Sequence, residues 1–238
     1  MNIMKKRFGQ NFLRSPFHIQ KIVAVINEHF KDDRLVEIGP GDGSITKKIV
    51  NYKLTVIEID QERIIDLEKI NGIDIIINAD FLKVEDHLIN NTQFFSNLPY
   101  HLALSIILRC RMLSNFKKGI FIFQKEVVDK IFSTKNNRVK FIFNNFFVVK
   151  RGLEIPGNCF FPKVKVHGKL IYVEKKESTI SLEAINKSKI FSKVRKKLKN
   201  TINIPYFDEN ISNLLLKRVE ELSFEETLSL IILETNCI

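Results

Sequence analysis

Tryptophan is absent from this 238-residue chain, and cysteine, methionine and tyrosine are scarce, at three, three and four residues. The cysteines, Cys110, Cys159 and Cys237, are odd in number and widely spaced, and no pair has metal-ligand spacing. That argues against a disulfide framework or a thiolate metal site, so reduced thiols, no metal and a cytoplasmic setting are expected. No run approaches the ~18 consecutive apolar residues a bilayer span requires. The N-terminus lacks the continuous apolar segment of a signal peptide, and no membrane association is expected. Acid is also short: 27 Asp and Glu stand against 38 Lys and Arg, for a formal charge of +11. The shortage is local. There is no acid before Glu28, none from Lys130 to Leu153, and none from Ile185 to Asn200, where Lys187, Lys189, Lys193, Arg195, Lys196, Lys197 and Lys199 crowd together. Uniform compositional drift would not leave such stretches, so the partner they point to is a polyanion, nucleic acid first.

What is present is an alternation of strand-like and helix-like segments. Ser15-Pro16 reads as an N-cap and first helical position, opening a helix to about Phe30. Strands are expected at Leu35 to Ile38, Leu54 to Ile59, Asp74 to Ala79, Gln93 to Ser96 and Gly119 to Phe123. Helices are expected between them, at Ser44 to Asn51, Gln61 to Ile70 and Leu102 to Leu108. This order predicts an α/β fold with a mostly parallel sheet. Phe141 to Val149 and Lys169 to Val173 read as a closing antiparallel pair. Beyond Glu174 only helices are expected: Leu182 to Leu198, Asp208 to Leu222, and Phe224 to Glu234, the last announced by the capping box Ser223/Glu226. The expected division is residues 1–175, a sheet domain, and residues 176–238, a small helical domain.

Two motifs carry chemistry. Gly39-Pro40-Gly41-Asp42-Gly43 lies between a strand and a helix, where glycines permit positive φ and close approach of a nucleoside to the backbone. Glu58 ends the next strand, ~20 residues on, where a carboxylate can accept from both ribose hydroxyls. The Gly-x-Gly-x-Gly spacing favours S-adenosylmethionine over a nicotinamide dinucleotide, with Gly39 and Gly41 as contacts. Asp80 ends the third strand and could take an adenine amino group, or could simply cap a helix. Asn97-Leu98-Pro99-Tyr100 ends the fourth strand. An uncharged amide acceptor, a rigid proline and an aromatic ring suit a planar base with an exocyclic amino group, although the same residues serve an ordinary turn.

These motifs, in this order, resemble the ribosomal small-subunit adenine dimethyltransferases. The matching stretches are Lys6-Arg7-Phe8-Gly9-Gln10-Asn11-Phe12-Leu13, Val36 to Gly43, Val56 to Asp60, Asn97 to Tyr100, Gln124 to Val127 and Phe160 to Val166, with the basic run Phe191 to Asn200 resembling the family's C-terminal domain. The resemblance implies a Rossmann-like class I methyltransferase sheet and an RNA-binding helical domain. It implies S-adenosylmethionine contacts at Asn11, Leu13, Gly39, Glu58, Asp80 and Asn97. It further implies dimethylation of two adjacent adenosines in the 3′-terminal hairpin loop of small-subunit rRNA, on the immature small subunit, by a monomer. Asn97 and the Leu98 carbonyl would accept from the adenine amino group, Tyr100 would stack on the base, and Phe160 or Phe161 would cover its other face. Lys193, Arg195, Lys196, Lys197 and Lys199 would contact RNA. The sequence departs from the family at Val164, where a second proline is usual, and at His101, where Asn is common. Competing readings are a large-subunit rRNA dimethyltransferase and a non-catalytic ribosome-assembly factor on the same fold. An RNA-recognition module built on Phe141, Phe143 and Phe147 lacks its glycine-containing signature, so those residues are expected in the core.

Overall fold

The computed structural model describes residues 11–89, 91–98, 101–204 and 208–236. In the described chain the first strand, β1 (Phe12–Leu13), precedes helix α1 (Pro16–His29). There follow β2 (Arg34–Ile38), β3 (Lys53–Glu58), α2 (Gln61–Leu67), β4 (Ile73–Asn78), β5 (Gln93–Asn97), α3 (Ala103–Met112), β6 (Lys118–Gln124) and α4 (Lys125–Ile131). Helix α5 (Arg138–Phe146) runs into β7 (Phe147–Ile155), followed by β8 (Phe160–Phe161) and β9 (Gly168–Lys175). Helices α6 (Leu182–Lys187), α7 (Glu209–Leu215) and α8 (Phe224–Asn236) complete the chain.

Seven strands form one sheet in the order β4-β3-β2-β5-β6-β9-β7, and β1 pairs with β8 in a separate two-stranded ribbon. The β4–β3, β3–β2, β2–β5 and β5–β6 pairs are parallel, and β6–β9 is antiparallel. The mostly parallel sheet with one antiparallel edge is as expected. The chain leaves β2 towards β3 and β4, then returns to the other flank of β2 as β5, so strand order reverses there. Ligands of open α/β sheets bind at such a reversal, beyond the carboxyl ends of the strands. Gly39 follows β2, Glu58 ends β3, Asp80 follows β4 and Asn97 ends β5, so one sheet edge gathers all four.

Leu35, Val36, Leu54, Val56, Phe94, Phe95, Ile120 and Ile122 are buried, which is why these strands read as continuous apolar runs rather than alternating ones. Helix α1 lays Ile22 and Ile26, one turn apart, into the same core. Proline at its first turn costs no hydrogen bond. Ser15 occupies the cap position but its hydroxyl meets the His18 ring at 2.9 Å instead of a backbone N–H.

Four expected elements differ, one of them the helix expected from Asp208 to Leu222, which ends at Leu215 and gives way to a 3-10 turn, Val219–Glu221, with Arg218 between them bridged to Lys197. Residues 44–51 form only a 3-10 turn, Thr46–Lys48, because β-branched Ile45, Thr46, Ile49 and Val50 crowd a helical turn and the first three of these are buried. Phe141 to Phe146 is helix, not strand. Asn137 caps it by accepting from the Lys140 N–H at 2.9 Å, and Phe141, Ile142, Asn145 and Phe146 are buried. The strand begins only at Phe147. The helix expected to Leu198 stops at Lys187. The Glu234 carboxylate takes the Ser188 hydroxyl at 2.5 Å and the Lys189 N–H at 3.1 Å, turning the chain away, and the like charges beyond would oppose a further turn. Helix α8 does start with both arms of its capping box, Glu226 N–H to Ser223 Oγ at 3.0 Å and Ser223 N–H to the Glu226 carboxylate at 2.7 Å.

The chain parts into two compact units, Met1–Lys125 with Lys150–Lys175, and Glu126–Val149 with Lys176–Ile238. Residues 126–149, which include most of α4, all of α5 and the start of β7, therefore group with the later helices, across the boundary expected at residue 176. Within that second unit Phe141 stacks on Phe224 at 4.8 Å and lies 5.7 Å from Phe191, and the Asn136 amide donates to Thr227 Oγ1 at 2.7 Å. Apolar packing and one buried polar pair thus draw the segment across.

The start of β5 rests on one amide. Gln93 is fully buried, its oxygen accepts from the Lys31 and Asp32 N–H groups, and its nitrogen donates to the Asp32 and Arg34 carbonyls. Gln93→Leu should leave these four backbone groups unpaired and lower unfolding free energy in urea by roughly 2–4 kcal/mol. A loss below 0.5 kcal/mol, on the order of a neutral surface change, would show that water replaces the amide.

Candidate functional site

Glu58 organises the sheet edge. Its side chain is 4% exposed, with Oε2 accepting the Gly41 N–H and Oε1 the Asp60 N–H, both at 2.9 Å. Its backbone carbonyl accepts from Ala79 N–H at 3.1 Å and from the Asn78 amide at 2.8 Å. One residue thereby sets the glycine loop, the entrance to α2 and the end of β4. Burial pushes the carboxyl pKa up, and the N–H groups of Asp60 and Gly41 pull against that shift. The Ile59 N–H pulls the same way, and a carboxylate has about four acceptor positions, so capacity remains for a ligand.

The glycine loop enters through Gly39 N–H to the Ile57 carbonyl at 2.8 Å. Gly39, Gly41 and Gly43 have φ of 65°, 61° and 73°, the left-handed region that a side chain resists. A Cβ on Gly39 would meet nothing within 4 Å, so open space adjoins the backbone there. A Cβ on Gly41 would strike the Phe12 ring at 2.6 Å.

The segment bearing Phe12 crosses this loop as a strap. Asn97 Nδ2 donates to the Asn11 carbonyl at 3.0 Å, Arg14 pairs with Asp42 at 2.5 Å, and Arg14 N–H donates to the Cys159 carbonyl at 2.8 Å. Only the amide nitrogen of Asn97 can serve a carbonyl, so the contact fixes the orientation of the group. Its oxygen Oδ1 is left without a partner among the described residues. Leu13 is fully buried beneath the strap, and Leu98 is 2% exposed.

Asp80 caps a turn rather than a helix. Oδ1 accepts the Leu82 N–H at 3.0 Å and its carbonyl accepts from Lys83 and Val84, as a turn cap does. Its other carboxylate oxygen has no partner among the described residues. Phe81 is buried, 6.4 Å from Phe94. Of the two phenylalanines expected to cover a base, Phe160 is 2% exposed and Phe161 is 56% exposed. Pro99, Tyr100 and the residues 6–10 of the first matching stretch lie outside the described residues.

In the second unit Lys193, Arg195, Lys196, Lys197 and Lys199 are all exposed, and none forms an ion pair among the described residues. They sit on turns and a 3-10 helix, Leu198–Asn200, with Lys197 bridged to Arg218 in antiparallel fashion. Among the described residues no cluster of three or more His, Cys, Asp or Glu could hold a metal, and no helix is long and apolar enough to cross a membrane.

The chain matches the profile of ribosomal RNA adenine dimethylases over residues 1–234. It belongs to that family. It is 33% identical over 233 residues to the ribosomal RNA small subunit methyltransferase A of Hydrogenobaculum sp. (strain Y04AAS1), covering 93% of this chain and 90% of that relative. It is 33% identical over 237 residues to the protein of the same name from Mycoplasma mobile, covering 93% and 91%. Among solved structures, a dimethyladenosine transferase from Plasmodium falciparum superposes with a TM-score of 0.75 at 20% identity, over 95% of this chain and 98% of that one. The 23S rRNA methyltransferase ErmE gives 0.70 at 20% identity, over 94% and 99%. These two likenesses concern the fold, a class I methyltransferase sheet.

Two residues of this dimethylase-family edge were not singled out by sequence. Ile59, between Glu58 and Asp60, is 46% exposed, an apolar surface beside two carboxylates. Its neighbours marked the position, but strand alternation alone leaves open which face a ligand uses. Glu37 is the other. It is 3% exposed in β2 with Oε2 unpaired among the described residues. Burial, and secondarily the nearby Glu58 and Asp42 charges, push its pKa to about 8. A charged residue inside the apolar run Leu35 to Ile38 was the available signal.

The sign of the Glu37 effect is definite. From the ordinary 4.5 up to about 8 the folded protein keeps a proton that the unfolded chain releases, so this group's contribution to stability falls as pH rises through that window. Glu37→Gln should melt like the parent at pH 5 and at a higher temperature than the parent at pH 8. Parallel melting curves at both pH values would place the Glu37 proton elsewhere.

Proposed function

We propose that this protein is the S-adenosylmethionine-dependent enzyme that dimethylates N6 of two adjacent adenosines in the 3′-terminal hairpin loop of small-subunit rRNA. The observation that carries the reading is the orientation of Asn97, whose acceptor oxygen is turned away from the strap at the carboxyl end of β5. The small-subunit relatives favour this substrate over large-subunit rRNA.

The residues at the sheet edge fit the cofactor. The open space beside Gly39 would admit its amino-acid portion against the backbone, and the remaining acceptor positions of Glu58 suit two ribose hydroxyls. The exposed Ile59 side chain offers a face for adenine and the second Asp80 oxygen an acceptor for its amino group. Asn11, Leu13 and Gly41 would close the site through the strap and the loop it covers. When bound, S-adenosylmethionine supplies an electrophilic methyl group on a sulfonium leaving group.

The protein then has to hold the nucleophile. An adenine amino nitrogen is weakly nucleophilic because its lone pair is delocalised into the ring. Asn97 Oδ1 and the Leu98 carbonyl would accept its two protons, favouring pyramidal geometry and releasing that pair. Pro99 would keep the turn rigid and Tyr100 would stack on the base, an interaction worth roughly 1–3 kcal/mol. Phe160, paired with Leu13 on the inner side of the strap, would cover the opposite face. Positioning of this kind can supply most of the acceleration, and no residue need act as a charged base. The target must leave its stack to enter, which loop nucleotides do at low cost.

The sheet unit is the methyltransferase domain in this reading. The exposed cations Lys193, Arg195, Lys196, Lys197 and Lys199 would bind phosphates of the rRNA on the immature subunit, with the protein acting as a monomer in the cytoplasm.

Asn97→Ala should lower methyl transfer to immature small subunits by at least about a hundredfold, the scale of losing a positioned acceptor of roughly 3 kcal/mol, with rRNA binding nearly intact. Labelled-cofactor transfer and nucleotide mapping measure it, and parental activity in the variant would refute the assigned role. Reversing charge at Arg195, Lys196 and Lys197 should weaken rRNA binding and flatten its salt dependence. An unchanged salt slope would remove that segment from the interface.

A further inference from the structure

The strap has an outer face with chemistry of its own. Phe12 lies opposite Phe161 and Leu13 opposite Phe160 in the β1–β8 ribbon. Directly paired residues share a face, so Leu13 and Phe160 point into the core together, while on the other face Phe12 is buried against Gly41 and Phe161 is left exposed. The second pair borders an open depression of about 500 Å³ whose charged lining includes Arg14, Lys47, Arg63 and Lys69 against Asp42 and Asp66. Cations exceed carboxylates there by two.

The charges are not equally committed. Arg14 is paired with Asp42, and Lys69 lies 3.7 Å from Asp66. Lys47 is exposed and has no ion-pair partner among the described residues. Arg63 is the unusual member. It is 5% exposed, its guanidinium carbon sits 5.1 Å from the centre of the Phe12 ring, and its one side-chain partner is Asp66 at a long 3.4 Å. Its Nε–H has no partner at all among the described residues. A guanidinium carries five donors, and burying one with so few satisfied is costly unless an anion completes it. Phe161 meanwhile holds a large aromatic ring 56% exposed at the same rim. An open ring beside under-committed cations matches the two halves of a nucleotide, a base and a phosphate.

We infer that this depression seats a nucleotide of the RNA strand flanking the target adenosine, its base on Phe161 and its phosphate on Lys47 and Arg63. The inference rests on the rRNA reading above. Continuity supports a strand over a free nucleotide: Phe12, which lines the depression, is adjacent to Asn11, whose carbonyl holds Asn97, so the same short segment borders both places. A loop entering the Asn97 site would pass over the strap edge. The strap therefore serves both places, closing the target site and gripping the neighbouring nucleotide.

The test uses the full chain and a small-subunit RNA hairpin carrying 2-aminopurine at single positions on either side of the target adenosines. Binding of the parent should quench one flanking position. Phe161→Ala should abolish that quench, Phe161→Tyr should retain it, and Phe161→Ala and Lys47→Ala should each raise KM for RNA on the order of tenfold while leaving cofactor affinity unchanged. Parental KM and quenching in Phe161→Ala would overturn the subsite. Competition by AMP as strong as that by the hairpin would assign the depression to free nucleotides and overturn it as well. Methyl transfer by the parent, measured in the same series, separates the two levels. A parent that methylates while the variants behave like it refutes the subsite alone. A parent that transfers nothing refutes the function, and the quenching signal, which needs no turnover, still reads the depression.

Discussion

The buried carboxylate of Glu58 is the constraint on which the sheet edge depends. Two backbone N–H groups, from Gly41 and Asp60, converge on it, while its own carbonyl takes two more donors from the end of β4. Removing a carboxylate from water is expensive unless its oxygens are satisfied, and charge-assisted bonds from backbone N–H groups are among the stronger ones available. The same bonds that stabilise the charge therefore fix the glycine loop, the first turn of α2 and the exit of β4 relative to one another. A binding edge built in this way is largely formed before any ligand arrives.

The strap adds the second constraint. It crosses the glycine loop with Phe12 lodged where a Cβ on Gly41 would be, ties to Asp42 through Arg14, and reaches Asn97 through the Asn11 carbonyl. An asparagine amide is nearly symmetric in shape, and its chemistry depends on which end faces the base. A carbonyl supplied from the strap decides that question. The side chain of this last residue of β5 is oriented because a distant part of the chain occupies its donor end.

The alternating order of strands and helices was readable because buried parallel strands are predominantly apolar runs, and Leu35 to Ile38, Leu54 to Ile59 and Gly119 to Phe123 are such runs. Glu58, Asp80 and Asn97 drew notice in the sequence because each stands at or just past the end of a strand. Reading failed where periodicity is ambiguous. Phe141 to Phe146 is aromatic-rich, as strands are, and only the Asn137 cap and packing against Phe191 and Phe224 make it a helix. The basic run after Lys187 is rich in helix-forming Lys, Arg and Leu, yet the Glu234 carboxylate from α8 ends α6 at Ser188. Neither partner is near in sequence.

The sequence by itself determined the class of fold and pointed to a polyanionic partner, because apolar runs, glycine spacing and acid-free stretches are local properties. Tertiary structure alone decided the orientation of Asn97, the raised pKa of Glu37 and the half-satisfied burial of Arg63. Each of these depends on desolvation and on donors or acceptors contributed by residues far along the chain, and pairing at such range becomes legible only once the chain has folded.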